Sequence, residues 1–244
     1  MKRTCADLHL CVDPNDVERV SRVVSKASRL GYALVAVPFP PRLDEAAVGK
    51  VRKECEDVGT ELVSRVDLRP RTTEDLLSGL RRLRRRFEVV AVMCESKHVA
   101  RQAAKDRRVD VLNFPLLDFR RRFFDAAEAE LASSSLVSLE VDMGPLLRLE
   151  GVARVKLLSN LRREVATAKD FRVPIVVSSG VADEMLMRKP AELVALASLF
   201  DLSGVSALDA VSSNPVTIVR RNQGKLDHGF VAPGIRVIRR GRDC

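Results

Sequence analysis

The feature that most constrains this chain is a rhythm. Short β-branched runs alternate with amphipathic stretches, roughly one pair every thirty residues. Period-two or all-apolar runs build strands, and runs with apolar residues at i, i+3, i+4 build helices, so strict alternation specifies parallel βα units. The strands fall at residues 4–12, 33–37, 61–68, 89–93, 109–113, 136–141, 175–177 and, more weakly, 204–206. Between them, helices are predicted from Asp13-Pro14-Asn15 to Leu30, from Asp44 to Gly59, and over 73–86, 97–106, 117–132, 144–169, 190–200 and 215–222. Gly31 supplies the stop of the first helix, whose Val17, Val20, Val24, Ala27 and Leu30 fall on one face.

Eight such units with no Gly-, Ser- or Pro-rich linker predict one TIM-like (β/α) barrel over residues 1–244, with 226–244 as a basic tail that includes a loose strand at 230–242. A doubly wound open sheet is the alternative, because counting elements does not establish closure. The 244 residues suit a single barrel, and an apolar fraction of 46% is ample for its core. No apolar run approaches the ~18 residues of a membrane span, and Met1-Lys2-Arg3 opens no apolar leader, so a cytoplasmic protein with no membrane role is expected. Cys5, Cys11, Cys55, Cys94 and Cys244 are odd in number and form no C-x-x-C pair, which favours reduced thiols over a disulfide framework or zinc knuckle.

Charge is the first clue to a partner. Lys and Arg number 42 against 33 Asp and Glu, for a net charge of +9. Arg outnumbers Lys by roughly three to one, and the guanidinium fork suits phosphate oxygens. Aromatic residues make up only 4% with no Trp, which argues against reading single strands by base stacking. An RNA partner would be held through backbone and shape.

Candidate chemistry is sparse. No G-x-G-x-x-G follows the first strand, and no Walker A loop, nucleophile elbow or H-E-x-x-H occurs. Asp7-Leu8-His9 ends the first strand, where a barrel keeps its active site, and Asp-x-His invites a metal reading. With only His9, His98 and His228 in the chain, a multinuclear centre lacks imidazoles, and a structural Asp/His pair accounts for the motif, so no metal ligands or catalytic residues are assigned. Ser178-Ser179-Gly180 follows the seventh strand, where barrels hold phosphates on backbone N–H groups; a helix cap with a tight turn explains the same residues. The run Arg81-Arg82-Leu83-Arg84-Arg85-Arg86 reads mostly as the solvated face of a helix whose buried stripe is Leu76, Leu80, Leu83 and Phe87; Arg120-Arg121-Arg122 is equally ambiguous. Arg65, Arg69, Arg71, Arg107 and Arg108 lie on or near strand ends. Lys156, Arg162 and Arg163 stud the sixth helix, and Arg188-Lys189 precede Pro190.

Several collinear segments resemble the thirty-kilodalton protein subunit family of ribonuclease P. They are Asp7-Leu8-His9, Ala27-x-x-Leu30-Gly31-Tyr32, Ser64-Arg65-Val66, Asp106-Arg107-Arg108-Val109-Asp110-Val111-Leu112, Pro174 through Gly180, Met187-Arg188-Lys189-Pro190, Asn214-Pro215 and Arg221-Asn222. The sequence departs from that pattern at Val181, where a smaller residue is expected, and at Lys189. The resemblance implies a barrel related to the polymerase-and-histidinol-phosphatase phosphoesterases without their metal site. It implies an RNA-binding subunit of a ribonucleoprotein endonuclease that removes the 5′ leader of precursor tRNA, with catalysis and Mg2+ on the RNA and no cofactor on the protein. Ribonuclease P RNA, a small ferredoxin-like protein subunit and other ribonuclease P proteins are the implied partners. On this reading Arg65, Arg69, Arg107, Arg108, Lys156, Arg162, Arg163, Arg188 and Lys189 contact RNA, and Ser178, Ser179 and Gly180 form a phosphate-binding loop. A free-standing metal-dependent phosphoesterase is the rival enzyme reading, and a barrel used only as a protein scaffold is the third.

Overall fold

The computed structural model describes residues 3–42, 44–114, 124–227, 229–232 and 235–237. Seven parallel strands pair in chain order: β1 (Ala6–Asp7), β2 (Leu34–Pro38), β3 (Glu61–Leu68), β4 (Val89–Met93), β5 (Val111–Asn113), β6 (Ser138–Asp142) and β7 (Ile175–Ser178). The sheet closes on itself beyond β7. Leu10 bridges Val181 in parallel register, Gly180 N–H donates to His9 C=O at 3.0 Å, and Cys11 N–H donates to Val181 C=O at 2.9 Å. The result is a TIM-like barrel with seven strands among the described residues.

Helices cover the outside: α1 (Val17–Leu30), α2 (Glu45–Asp57), α3 (Thr73–Leu83), α4 (Lys97–Ala104), α5 (Ala126–Ser135), α6 (Gly144–Arg148), α7 (Gly151–Asp170), α8 (Pro190–Ala197), α9 (Gly204–Ala210) and α10 (Ser213–Leu226). Their starts obey local chemistry. Asp16, Asp44, Thr72, Ser96 and Asp125 each accept a hydrogen bond from a first-turn backbone N–H, satisfying donors the helix itself leaves unpaired. The apolar stripes pack on the outward faces of the strands in one continuous core.

Five expectations change. The first strand is only Ala6–Asp7, and Asp16 rather than residues 13–15 caps α1. Residues 204–206 start a helix, because Ala207 and Ala210 are buried three apart while Val205 and Leu208 are exposed, a helical period rather than an alternating one. The long helix at 144–169 breaks at Leu149, which is extended. Of the helix at 117–132, residues 117–123 lie outside the described residues, as do Arg120-Arg121-Arg122. The tail forms an antiparallel pair, β8 (Phe230–Ala232) with β9 (Ile235–Arg236); residues 238–242 of the expected strand lie outside the described residues.

The barrel interior is lined by small and branched side chains: Ala6, Leu8, Leu34, Ala36, Val63, Val89, Ala91, Val111 and Val176. At the end where the strands begin, Ile218 and Val219 of α10 pack onto this layer, so a helix stoppers the barrel. Polar groups of α10 then tie it to the strand starts. Arg220 and Gln223 donate to Glu61, Gln223 also to Glu88, Asn222 to the Glu88 C=O and to Asp110, and Asn214 to the Ile175 C=O. Among the described residues, no helix is long and apolar enough to cross a membrane.

Candidate functional site: a sealed mouth and a basic base

At the other end, where strands finish, inward positions turn polar. On β3 and β6 the alternation that places Val63 and Ser138 inside also places Arg65, Asp67, Glu140 and Asp142 inside. Arg65 is fully buried. Its Nη1 donates to Glu140 Oε1 at 2.6 Å and to the Leu8 C=O at 2.5 Å, its Nη2 to Glu140 Oε2 at 2.7 Å, and its Nε to Asp67 Oδ1 at 2.7 Å. Ser178 Oγ and Asn113 Nδ2 also donate to Glu140, and Asn113 to Asp142.

His9 completes the cluster. Its Nδ1 lies 2.9 Å from Asp142 Oδ1, and its Nε2 lies 3.2 Å from Asp67 Oδ2 and 3.3 Å from Cys11 Sγ. Burial and the Arg65 charge oppose protonation of His9, but Asp142 and Asp67 together outweigh them and hold the imidazole charged well above its usual range. Burial likewise works against ionised Asp67, yet Arg65 and His9 keep its carboxyl well below the usual carboxylate range; Asp142 is lowered against burial by His9 and Arg65. Asp7 is different. Burial raises it, and although Oδ1 accepts from the His9 and Ser179 N–H groups, Oδ2 has no partner among the described residues.

Donor atoms of His9, Glu140 and Asp142 lie within 4.8 Å of one another, close enough to share a cation. A cation is already there: the Arg65 guanidinium engages both Glu140 oxygens and brings a fixed positive charge into a sealed space. A divalent ion would have to sit against that charge, so the cluster as built fits an internal ion-pair network and not a metal centre.

Two groups of expected RNA contacts are therefore corrected. Arg65 is wholly consumed inside the barrel and touches nothing outside the protein. The Ser178-Ser179-Gly180 segment is no phosphate loop. Ser179 N–H donates to Asp7 Oδ1, Gly180 N–H to His9 C=O, Ser178 Oγ to Glu140, and both serines are buried. These N–H groups close the barrel seam. Gly180 has φ +59, and a Cβ there would fall 2.4 Å from that of Asp142, so the seam needs glycine at this position.

The remaining basic residues do not share one face. Arg69, exposed and 3.4 Å from Glu95, follows the C-terminal end of β3. Arg107 and Arg108 precede β5, at the opposite end of the barrel; Arg107 is exposed, and Arg108 grips Asp106 through Nε and Nη2 at 2.9 and 2.6 Å. Lys156, Arg162 and Arg163 are exposed on α7, with Arg162 donating to the Leu199 C=O and Arg163 to Asn160. Arg188 turns back on the carbonyls of Met185 and Met187, and Lys189 is exposed at the start of α8.

Sequence reasoning missed Glu140 and Asp142, although two acids alternating with Leu139 and Val141 in a buried strand were a usable signal. It also placed Arg84 on a solvated face. Arg81, Arg82, Arg85 and Arg86 are indeed exposed, but Arg84 turns inward to Asp110 and to the carbonyls of Phe87, Glu88 and Arg108.

Comparison with known proteins agrees with the geometry. The family model for RNase P subunit p30 matches residues 5–226. The ribonuclease P protein component 3 of Methanosarcina barkeri is 30% identical over 239 residues, covering 93% of both chains. That of Halorubrum lacusprofundi is 30% identical over 239 residues, covering 94% of this chain and 95% of the other. The fold matches a chain in a cryo-EM structure of archaeal ribonuclease P with mature tRNA, with TM-score 0.82, 18% identity, and coverage of 98% of this chain and 100% of that one. A putative prolidase from Bifidobacterium longum shares the barrel more loosely, with TM-score 0.56 and 11% identity over 90% of this chain and 70% of its own. A barrel whose mouth is locked by its own arginine, matched from end to end by these relatives, belongs to the ribonuclease P subunit p30 family.

Proposed function

We propose that this chain is a protein subunit of a ribonuclease P ribonucleoprotein, binding the catalytic RNA that removes the 5′ leader of precursor tRNA and performing none of the chemistry itself. The observation that carries the second half of this reading is the buried Arg65–Glu140 pair. The barrel end where related folds place catalysis is filled by an internal network of ion pairs around Arg65 and Glu140. The mouth holds two cations, Arg65 and His9, against the carboxylates of Asp67, Glu140 and Asp142, a balance that repels phosphates rather than attracting them.

Mg2+ belongs on the RNA in this reading, and the protein holds no cofactor. Its partners are ribonuclease P RNA, a small ferredoxin-like subunit and other ribonuclease P proteins. Its place is the cytoplasm, in keeping with Cys5, Cys11, Cys55 and Cys94 being unbridged. The RNA-contact candidates that keep exposed cationic surface are Arg69, Arg107, Lys156, Arg162, Arg163 and Lys189.

Reconstitution tests the proposal. Precursor-tRNA cleavage by the cognate RNA is measured at fixed Mg2+ with the other subunits present and this chain added or left out. Faster cleavage with the chain, and none from the proteins without RNA, is expected. Unchanged cleavage rejects the subunit role. Phosphoester hydrolysis by the chain alone, abolished in His9→Ala and accompanied by stoichiometric bound metal, establishes the phosphoesterase reading instead.

A further inference from the structure

The base of the barrel carries a feature that the mouth does not. A cleft of about 500 Å3 opens beside the stopper helix, lined by Arg84, Arg85, Arg107, Arg108 and Lys225, with Asp227 as the acidic wall among the described residues. These residues come from the end of α3, the turn before β5 and the end of α10, so only the folded barrel assembles them.

Two of the five cations are structural. Arg84 is spent on Asp110 and on three backbone carbonyls, and Arg108 on Asp106. Asp110 is saturated, since Arg221, Asn222 and the Val90 N–H donate to it as well. The nearest buried carboxylates are thus already committed. Arg85, Arg107 and Lys225 are exposed and make no hydrogen bond or ion pair within the protein among the described residues. Partial desolvation first, and then the nearby Arg221 charge, pull the Lys225 ammonium below its usual range. Phe230 of β8 adds an apolar wall.

Holding three unneutralised cations around one concave space costs free energy that an anion in the cleft returns. Guanidinium forks beside an ammonium suit phosphate oxygens, and the cleft is roomier than one free phosphate requires.

We infer that this cleft at the strand-start end of the barrel is an RNA backbone site, in which Arg85, Arg107 and Lys225 neutralise successive phosphates while Arg84 and Arg108 hold the walls. The inference rests on the proposed ribonucleoprotein role and specifies where that role is carried out: on the face opposite the usual barrel mouth.

The test is the salt dependence of binding of the full-length chain to ribonuclease P RNA. Wild type is compared with the triple variant Arg85→Ala, Arg107→Ala, Lys225→Ala and with a charge-matched control on α2, Lys50→Ala, Arg52→Ala, Lys53→Ala. Each lost phosphate contact reduces the slope of log affinity against log salt by about one, so the cleft triple should lose about two to three units and the control none. Thermal unfolding of both variants is expected to match wild type, because none of the cleft residues removed has an internal partner. A cleft triple with the wild-type slope overturns the site while leaving the subunit role intact. Wild-type protein that neither binds this RNA nor speeds cleavage overturns the role and the site together. If inorganic phosphate raises the unfolding temperature of wild type but not of the triple, while both keep one RNA slope, the cleft is a free-anion site and the RNA assignment is wrong.

Discussion

The two ends of this barrel solve similar electrostatic problems and end in opposite states. At the mouth, Arg65 and Glu140 meet with no side-chain exposure, Asp67 beside them is 15% exposed, and every nitrogen of the guanidinium donates. At the base, Arg84 and Arg221 meet Asp110 with their side chains 15% and 26% exposed, and beyond them stand cations with no internal partner. Both ends centre on an arginine against a buried acid. One is closed and negative in balance, the other open and positive. A site is therefore not identified by its buried ion pairs; it is identified by the charge left over once those pairs are formed.

The comparison breaks first at Arg65. Arg65→Met leaves Glu140 a buried carboxylate without its cation, which should cost about 3–5 kcal/mol; urea unfolding measures it, and a loss below 1 kcal/mol would show that the mouth is wetter than described. Adding Glu140→Leu should recover part of that loss, because the pair is then removed as a unit. At the base, Asp110→Ala should cost less, about 1.5–3 kcal/mol, since Arg84 and Arg221 keep partial access to water. A base variant as damaging as Arg65→Met would erase the contrast between the two ends.

A pH series sharpens the contrast further. His9 has its folded-state value raised, so the stability it contributes is fully present below its unfolded value near 6.5 and is lost as pH rises through the higher folded value. Asp67 and Asp142 are lowered, so their contribution is present above about 3.8 and is lost as pH falls. Wild type should therefore be most stable between these limits and decline above neutrality, while His9→Gln loses that alkaline decline. An identical decline in both proteins would remove His9 as its cause. The smallest effect is expected on α7: Arg162→Ala with Arg163→Ala should shift stability by no more than about 0.5 kcal/mol, as exposed side chains usually do.

Much of the fold was legible because periodicity is local. Seven of the eight expected strands and most helices follow from it, and Asp44 and Gly31 act as read. The eighth strand failed where a short apolar run suits strand or helix equally, and the burial of Ala207 and Ala210 one turn apart distinguishes them. The candidate site was less legible. Arg65 and Arg107 both lie near strand ends in an arginine-rich chain, yet one points into the barrel and the other into solvent.

By itself the sequence determined the parallel βα order, the family and the excess of arginine, because these depend on neighbours within a turn or a strand. Only the tertiary structure decided which arginines remain available to an RNA. That choice depends on partners 75 residues away for Arg65 with Glu140, 133 for His9 with Asp142, and 111 for Arg221 with Asp110. Whether a charge is buried and matched, or exposed and left over, is fixed by which strands and helices close around it, and no local pattern carries that information.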